Sequence, residues 1–187
     1  MRLLLMGAPG SGKGTQAAAI ANRYGIPVIS TGNIFRAAVA SGSELGQQVS
    51  ELLTSGQLVP DALTDAVVAA RLSEPDVVGG WLLDGYPRTL SQVAALDVLL
   101  SSQGEKLDVV VTIDVPFDEL VERVVRRGEI EGRSDDSRET AQARLQVYTD
   151  QTKPVIDAYA ERGIVRSVDG VGAISEIEAR ISAVLAD

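Results

Sequence analysis

Short apolar runs alternate along this chain with longer segments in which apolar residues return every three or four positions. Compact apolar runs bounded by glycine or proline are typical of buried strands, and the three-to-four spacing is typical of helices. The apolar runs predict strands over residues 2–6, 27–30, 81–84, 109–115 and 164–168. Because several of these runs are apolar throughout, we expect both faces of the strands to be covered.

The longer segments predict helices. They span residues 13–24, 31–40, 44–54, 61–72, 89–100, 116–127 and 135–161, and a last helix begins at residue 174. Gly25 is placed to end the first helix, and Asp61 is placed as the N-cap of a later one. Pro154 falls inside the longest segment, so we expect a kink or a break there, because proline removes a helical hydrogen bond.

Strands that alternate with helices predict an α/β fold of three layers, in which helices cover both faces of a central parallel five-stranded sheet. Sheets of this kind bind ligands beyond the carboxyl ends of their strands. Three glycine-rich or polar segments directly follow predicted strands, at residues 7–15, 31–33 and 84–88. We therefore expect these segments to meet at one edge of the sheet.

The first of these segments is the most informative stretch of the chain. It reads Gly7-Ala8-Pro9-Gly10-Ser11-Gly12-Lys13-Gly14-Thr15. A glycine-rich turn between a strand and a helix directs backbone N–H groups into one concavity, and Lys13 adds a positive charge, as in the Walker A loop. The hydroxyl residue comes one place late, at Thr15. An ordinary strand-to-helix connection is the alternative, but it would gain nothing from so many helix-weakening residues. The segment predicts a polyphosphate site.

Composition narrows the chemistry further. A chain of 187 residues with 45% hydrophobic residues suits one buried domain with small inserted pieces. The net charge of −9 argues against a nucleic-acid surface. The absence of Cys and His excludes disulfides, a thiol nucleophile, a Cys/His zinc site and a Ser-His-Asp triad. Only three of the 17 basic residues are lysines, and arginine is the better bidentate partner for phosphate.

The amino-terminal residues combine Arg2 with a short apolar run, as a signal peptide does. The run is too short for the apolar core of such a peptide, and a buried first strand is favoured. No stretch approaches the roughly 20 apolar residues of a membrane helix. We expect a cytoplasmic protein with no membrane partner, and nothing in the sequence demands an oligomer, so we expect a monomer.

Four segments together carry a family resemblance. They are the glycine-rich segment with Gln16, Ser30-Thr31-Gly32 ahead of Arg36, Leu83-Asp84-Gly85-Tyr86-Pro87-Arg88-Thr89, and Gly132-Arg133-Ser134-Asp135-Asp136. With them the chain resembles the adenylate kinase family over essentially its whole length. The resemblance implies transfer of the γ-phosphoryl group of ATP to AMP, giving two ADP, with Mg²⁺ as cofactor.

The resemblance also implies an organisation and a set of site residues. One domain, residues 1–187, would have a P-loop NTPase-type core (1–29, 60–127 and 135–187), a small helical AMP-binding insertion (30–59) and a short lid loop (128–134). The implied ATP-binding residues are Gly10, Ser11, Gly12, Lys13, Gly14, Thr15, Arg123, Arg127 and Gly172. The implied AMP-binding residues are Thr31, Gly32, Arg36, Gln57, Leu58, Val59, Gly85, Arg88, Gln92, Arg133 and Arg144. The implied catalytic residues are Lys13, Arg88, Arg123, Arg133 and Arg144.

Charge alone could support such a reaction. Phosphoryl transfer needs fixed positive groups around the transferred oxygens, and an acceptor phosphate is already deprotonated near neutral pH, so no general base is required. Six arginines fall between Arg123 and Arg144. Ordinary solvated or ion-paired arginines are the alternative, but such clustering in an acidic chain favours phosphate binding. Arg123 and Arg127 share a helix face, whereas we expect Arg126 to be turned away and, like Arg138, solvated.

The base of the acceptor nucleotide is read from fewer residues. Gln92 can pair with adenine through its amide donor and acceptor, although a place on a helix surface is the alternative. Uridylate/cytidylate kinases share the overall pattern but usually carry Asn shortly after the Pro-Arg pair, where this chain has Thr89 and then Gln92. AMP is therefore favoured. A UMP/CMP kinase and a non-catalytic nucleotide sensor are the alternatives.

Asp84 is the candidate metal residue. A carboxylate at a strand end beside a phosphate loop can hold Mg²⁺ or its waters, and the resemblance assigns the same role, although Asp-Gly is also a common turn pair. Asn33 departs from the pattern, because relatives commonly carry Asp there and Asn lacks the charge. No zinc is expected in the lid, which is too short for the β-rich lid domain of other relatives. Gly128 and Gly132 bracket this loop as hinges or as simple turns, and Asp136 with Glu139 resembles a capping box.

Overall fold

Within residues 1–133 and 135–186, which the computed structural model describes, five parallel strands form one sheet. Ser134 of the predicted lid and Asp187 of the predicted core lie outside the described residues. The strands are β1 (Arg2–Met6), β2 (Val28–Ser30), β3 (Trp81–Asp84), β4 (Val109–Asp114) and β5 (Val165–Asp169). Their order across the sheet is β2-β3-β1-β4-β5, and the predicted parallel five-stranded sheet is confirmed.

Helices connect and cover these strands. They are α1 (Lys13–Tyr24), α2 (Thr31–Ala40), α3 (Glu44–Ser55), α4 (Asp61–Arg71), α5 (Leu90–Ser102), α6 (Phe117–Glu131), α7 (Arg138–Val147), α8 (Lys153–Ala160) and α9 (Ile174–Ala186). A 3₁₀ turn, Pro75–Val77, which the sequence analysis did not predict, precedes β3. Among the described residues, no helix has both the length and the apolar character to cross a membrane.

The side chains of the central strand explain the three layers. Leu3 and Leu5 are buried in the cluster that includes side chains of α1 and α9. Leu4 and Met6 point the other way, into the cluster that includes side chains of α4, α5 and α8. Since neighbouring residues of a strand face opposite sides of the sheet, a strand that is covered on both sides must be apolar at every position. The predicted covering of both faces is confirmed.

Helices α2 and α3 form a small unit beside the sheet. Phe35, Val49 and Val59 are the buried centre of its own apolar cluster. The unit also touches α7, because the Thr140 hydroxyl donates to the carbonyl oxygen of Thr54 at 3.1 Å. Residues 31–55 thus have an apolar cluster of their own, are joined to the main core through Ile34 and are held against α7.

The predicted end of a helix at residue 127 is wrong. Helix α6 continues to Glu131 and ends at Gly132, whose φ of 64° is the left-handed conformation that glycine adopts at little cost. Gly128 lies inside the helix. A Cβ there would lie 2.9 Å from Cβ of Asp136, so glycine at this position permits close packing and does not mark a loop. One glycine in a helix is a modest cost, and packing overrides it here.

The helix predicted over residues 135–161 is divided. Helix α7 begins only at Arg138, with Ser137 as the N-cap whose hydroxyl accepts a hydrogen bond from the Thr140 N–H at 3.1 Å. The predicted capping box of Asp136 and Glu139 is therefore wrong. The predicted break is confirmed, because a π-helical turn, Tyr148–Thr152, separates α7 from α8 just before Pro154.

Asp61 is not an N-cap. The N-cap of α4 is Pro60, and Asp61 is the first helical residue, with a carboxylate that accepts hydrogen bonds from other segments. The remaining predicted boundaries differ from the observed ones by one or two residues, as is common where helices and strands fray.

Candidate active site

The three segments that follow β1, β2 and β3 meet in a cavity of about 820 Å³ at the carboxyl edge of the sheet. Among its wall residues are these members of the predicted site: Gly10, Gly12, Lys13, Gly14, Thr15, Thr31, Gly32, Arg36, Gln57, Leu58, Val59, Asp84, Gly85, Arg88, Gln92, Arg123, Arg127, Arg133 and Arg144. Residues from seven regions of the chain therefore converge on one space. Their roles toward a ligand stay predictions.

Two predicted ligand residues are not in the cavity wall. Ser11 is buried beneath the glycine-rich loop, where its hydroxyl oxygen lies 3.5 Å from Nζ of Lys13. Gly172 is exposed in the turn between β5 and α9. The same turn reaches the wall through Ile174, whose carbonyl oxygen accepts a hydrogen bond from the buried amide of Gln16 at 2.9 Å. Gln16 thus ties this turn to the start of α1, a role that the sequence analysis did not foresee.

The glycine-rich loop is folded tightly over the sheet edge. Gly7 has φ 139° and Gly10 has φ 86°, and a Cβ would lie 2.6 Å from the Ile113 carbonyl oxygen at the first and 2.7 Å from the Leu120 carbonyl oxygen at the second. Only glycine fits both positions. Helix α1 starts behind the loop with Gly12 as its N-cap, which has no side chain to occupy the helical N–H groups. These groups and the helix dipole are suited to an anion.

The ammonium group of Lys13 lies inside this loop. Nζ donates hydrogen bonds to the carbonyl oxygens of Gly7 and Ala8 at 2.7 and 2.9 Å. Burial lowers the pKa of Lys13 to about 8, although the nearby Asp84 carboxylate opposes this shift. Part of the side chain is open to the cavity, so an anion that entered would meet a lysine whose charge is poorly compensated.

The lowered pKa of Lys13 makes a prediction about stability. Between pH 8 and pH 10.5 the folded chain has lost the proton of Lys13 while the unfolded chain keeps it, so raising the pH in this window favours the folded state. We expect the wild-type protein to gain about 1 kcal/mol or more over Lys13→Met between pH 7 and pH 9.5. Urea unfolding of both proteins at the two pH values measures this, and a constant difference between them would contradict it.

Arg36 and Arg88 lie on the other side of the cavity. Nε of Arg88 donates to the Gly85 carbonyl oxygen at 2.8 Å, and the Arg88 carbonyl oxygen accepts from the Thr152 hydroxyl at 3.1 Å. Nη2 of Arg36 donates to Oδ1 of Asn33 at 2.7 Å. Because Asn33 is neutral, it orients Arg36 without cancelling its charge. With Asn at this position, the acidic partner of Arg36 is Asp135, whose carboxylate lies 3.9 Å from Nη1 of Arg36.

Arg127 and Arg144 share one buried acceptor. The carboxylate of Asp136 is fully buried and accepts from Arg127 Nε at 2.7 Å, Arg127 Nη2 at 2.9 Å and Arg144 Nη1 at 2.7 Å. Arg144 also pairs with Asp135. Burial raises the pKa of Asp135, but the hydrogen bond and charge of Arg144 outweigh this, so the pKa lies below its ordinary value. The acidic pair therefore holds both guanidinium groups at the cavity wall.

Asp136 should accordingly be important for stability. Asp136→Ala leaves Arg127 without its carboxylate acceptor and Arg144 with Asp135 alone, and we expect the free energy of unfolding to fall by about 2 kcal/mol. This is less than the about 3–5 kcal/mol typical of a broken buried pair, because Arg127 keeps 31% of its side chain exposed. Asp136→Asn keeps the shape and one acceptor and should lose about 1 kcal/mol. Urea unfolding tests both, and wild-type stability in Asp136→Asn would contradict the charge pairing, because that variant keeps the shape and removes the charge.

The other arginines of this region differ in their surroundings. Arg123 donates to Glu119 at 2.8 Å and to the Gly170 carbonyl oxygen at 3.2 Å, and Arg133 pairs with Glu131 at 2.6 Å. Arg126 is exposed but also borders the cavity, so the expectation that it is turned away is wrong. Positions three apart on a helix are neighbours, as Arg123 and Arg126 are. Arg138 is exposed and pairs with Glu122, which confirms that it is a surface residue.

Gln92 is buried, with 2% of its surface exposed, so the alternative of a helix-surface residue is wrong. Its Oε1 accepts from the Arg88 N–H at 2.7 Å, and its Nε2 donates to Oδ1 of Asp61 at 2.8 Å. Asp61 also accepts from the Thr89 hydroxyl at 2.8 Å. This use of Asp61 is not visible in the local sequence, because Asp61 lies 31 positions from Gln92.

Asp84 lies at the end of β3 with its carboxylate at the cavity. Oδ2 accepts a hydrogen bond from the Ser30 hydroxyl at 3.1 Å, and Thr15 supplies another oxygen to the same wall. Among the described residues, no three or more His, Cys, Asp or Glu side chains form a cluster that could hold a metal ion. Magnesium commonly binds through one or two carboxylates together with water and substrate phosphates, so these oxygens fit that metal.

Comparison with known proteins gives one family throughout. The family model described as "Adenylate kinase" matches residues 5–164. The adenylate kinase of Leifsonia xyli subsp. xyli (strain CTCB07) is 50% identical over 185 residues, which cover 99% of this chain and 93% of that protein. The adenylate kinase of Stenotrophomonas maltophilia (strain R551-3) is 50% identical over 185 residues, which cover 99% of each.

Proposed function

This chain belongs to the adenylate kinase family, and we propose that its cavity transfers the γ-phosphoryl group of ATP to AMP, giving two ADP. The observation that carries the proposal is that one cavity is lined on two sides by groups suited to phosphate and to a base. The glycine-rich loop with Lys13 forms one wall, and Arg36, Arg88 and Gln92 form another. Two nucleotides placed against these walls would bring their phosphate chains together.

The donor side would bind the phosphates of ATP. The N–H groups at the start of α1 and the ammonium of Lys13 provide positive potential that is already in place before the nucleotide arrives. Lys13 would exchange its two carbonyl acceptors for phosphate oxygens, which are stronger partners because they are charged. Arg123 and Arg127, four residues apart on α6, would bind from the opposite side.

The acceptor side would bind the phosphate of AMP. Arg36 and Arg88 supply two guanidinium groups, and Arg88 is fixed at its backbone and its side chain. The attacking phosphate oxygen carries no proton near neutral pH, so catalysis consists of positioning and of stabilising the charge on the transferred group. Arg133 and Arg144 border the same cavity and would contribute to that stabilisation.

Magnesium would be held by Asp84, directly or through water, with Thr15 and the donor phosphates completing its ligands. The metal neutralises phosphate charge when it is bound. Asp84 would in addition favour the charged form of Lys13, since its carboxylate opposes the lowering of the pKa of that lysine by burial.

Residues 30–59 and 128–134 would close over the nucleotides. For the insertion, this is supported by its contacts with α7, where the Thr140 hydroxyl and Nη2 of Arg144 donate to carbonyl oxygens of Thr54 and Leu53. Closure would exclude water, which otherwise competes as acceptor. All proposed site residues come from one chain, so the enzyme would work as a monomer, and its substrates are nucleotides of the cytoplasm.

A coupled assay for ADP tests the proposal. We expect rapid ADP formation only when ATP, AMP and Mg²⁺ are all present, and much slower turnover when CMP or UMP replaces AMP. Faster turnover of a pyrimidine nucleotide would make the protein a UMP/CMP kinase. Calorimetric binding of ATP without turnover of any monophosphate would favour a nucleotide sensor and would contradict the proposal.

A further inference from the structure

The carboxylate of Asp61 does not line the nucleotide cavity, but it holds a side chain that does. Gln92 presents its amide at the cavity wall, and Nε2 of that amide donates to Oδ1 of Asp61 at 2.8 Å. The other end of the amide, Oε1, accepts from the Arg88 N–H at 2.7 Å. One end of the amide is therefore held by a hydrogen-bond acceptor and the other by a hydrogen-bond donor.

These partners fix which way the amide points. An ionised carboxylate only accepts hydrogen bonds, and a backbone N–H only donates. Rotation of the Gln92 amide by half a turn would direct its carbonyl oxygen at Asp61 and its NH₂ group at the Arg88 N–H. Both contacts would then be repulsive, and the Gln92 side chain is buried, where unmatched polar groups are costly. Asp61 and Arg88 thus allow one orientation.

Asp61 is itself well supported for this task. Its second oxygen accepts from the Thr89 hydroxyl at 2.8 Å, and that hydroxyl also accepts from the Gln92 N–H at 3.2 Å. As the first residue of α4, Asp61 lies at a helix N-terminus, where a negative charge is favourable. Its position directly follows Val59 and Pro60, so the carboxylate ties the end of the helical insertion to the loop after β3.

The fixed amide keeps one hydrogen and one lone pair for a ligand, in a set order. Adenine presents an amino donor beside a ring-nitrogen acceptor, whereas hypoxanthine presents a carbonyl acceptor beside an N–H donor. An amide held in the orientation that pairs with adenine would place donor against donor and acceptor against acceptor on hypoxanthine. We propose that Asp61 is a positioning residue that sets selectivity for 6-amino over 6-oxo purine nucleotides by fixing Gln92. This inference rests on the proposed function, in which AMP is the acceptor.

The experiment compares AMP with inosine monophosphate, which has the same size and differs at the base edge. Asp61→Leu removes both acceptor oxygens with little change of shape. We expect the ratio of kcat/KM for AMP over inosine monophosphate to fall about tenfold, within the range for one base contact, with KM for ATP unchanged. Asp61→Asn keeps an acceptor for Gln92 and should retain most of the ratio. An unchanged ratio in Asp61→Leu would overturn the inference.

Asp65 provides the matched control. It lies one turn further along α4 and accepts from the Tyr86 hydroxyl at 2.6 Å, so it holds the same loop but not the amide. Asp65→Leu should lower the melting temperature and leave the ratio unchanged; a fall in the ratio equal to that of Asp61→Leu would show general loosening and overturn the inference. Wild-type protein that fails to phosphorylate AMP would instead overturn the proposed function.

Nuclear magnetic resonance of wild-type protein provides a test that needs no variant. A free glutamine side chain already gives two separate NH₂ proton signals, because rotation about its amide C–N bond is slow. When Asp61 holds the Gln92 amide, these signals should lie away from the positions of a free side chain and exchange slowly with water. Signals at the averaged positions of a free glutamine side chain would overturn the inference even if Asp61→Leu does not fold.

Discussion

Arg88→Ala is expected to lower kcat/KM for AMP by a factor of about 100 or more, which corresponds to about 3 kcal/mol of transition-state stabilisation. The reason is the rigidity of this side chain. Nε of Arg88 donates a hydrogen bond to the Gly85 carbonyl oxygen, and the backbone of Arg88 forms hydrogen bonds with the side chains of Gln92 and Thr152. A guanidinium fixed in this way needs little reorganisation to meet a phosphate, so its loss should affect the transferring state directly.

The fold should survive this change. Alanine keeps the backbone hydrogen bonds of Arg88 and loses only the side-chain hydrogen bond to the Gly85 carbonyl oxygen. We therefore expect the urea midpoint to move little. Arg162→Ala is the matched control, since Arg162 forms a bidentate ion pair with Asp97 on the surface and is not part of the cavity wall. It should keep wild-type kcat/KM. Turnover of Arg88→Ala within a few-fold of wild type would contradict the role given to Arg88.

Lys13→Met should have a comparable or larger effect and raise the barrier for phosphoryl transfer by about 3–4 kcal/mol. Methionine matches the length of lysine but carries no charge. The ammonium of Lys13 is the cation that lies within the loop itself, next to the carbonyl oxygens of Gly7 and Ala8. The loop itself contains no arginine, and the arginines of the cavity wall lie on α2, α6 and α7 and in the segments after β3 and after α6.

Stability separates this catalytic loss from damage to the loop. Lys13→Met loses two hydrogen bonds but no longer buries a charge, whose cost is apparent in the lowered pKa of Lys13. The two changes oppose each other, so we expect the free energy of unfolding at pH 7 to stay within about 1 kcal/mol of wild type. Loss of activity together with a much larger loss of stability would show that Lys13 is structural.

Much of the fold was predictable because buried parallel strands leave a simple pattern. The run that ends at Met6 is apolar throughout, since helices cover both faces of β1. The glycine-rich loop was predictable for a related reason: Gly7 and Gly10 lie where backbone comes too close for any Cβ. Such constraints act locally, so they are visible in the sequence.

The helix boundaries near the predicted lid were not predictable in the same way. Gly128 looked like a loop residue, but it is helical because close packing against Asp136 requires a small residue there. Asp136 looked like a cap, but its carboxylate is occupied by Arg127 and Arg144. Both errors arise because tertiary contacts decided between local alternatives that the sequence leaves close in free energy.

The supporting residues of the candidate site were also hidden. Asp61 meets Gln92 across 31 positions, and Thr152 meets Arg88 across 64. Neither residue belongs to a segment that resembles a motif. Residues that hold other residues in place have no spacing rule of their own, so their partners can be identified only once the chain is folded.

Binding of a single molecule with two adenosines joined by five phosphates tests the central claim most directly, because tight binding requires both nucleotide positions at in-line spacing. Calorimetric titration in the presence of Mg²⁺ should give one molecule bound per chain, far more tightly than ATP or AMP alone, and Arg88→Ala should weaken it. Two molecules bound per chain, or an affinity no better than that of ATP, would show that the cavity does not hold two nucleotides end to end.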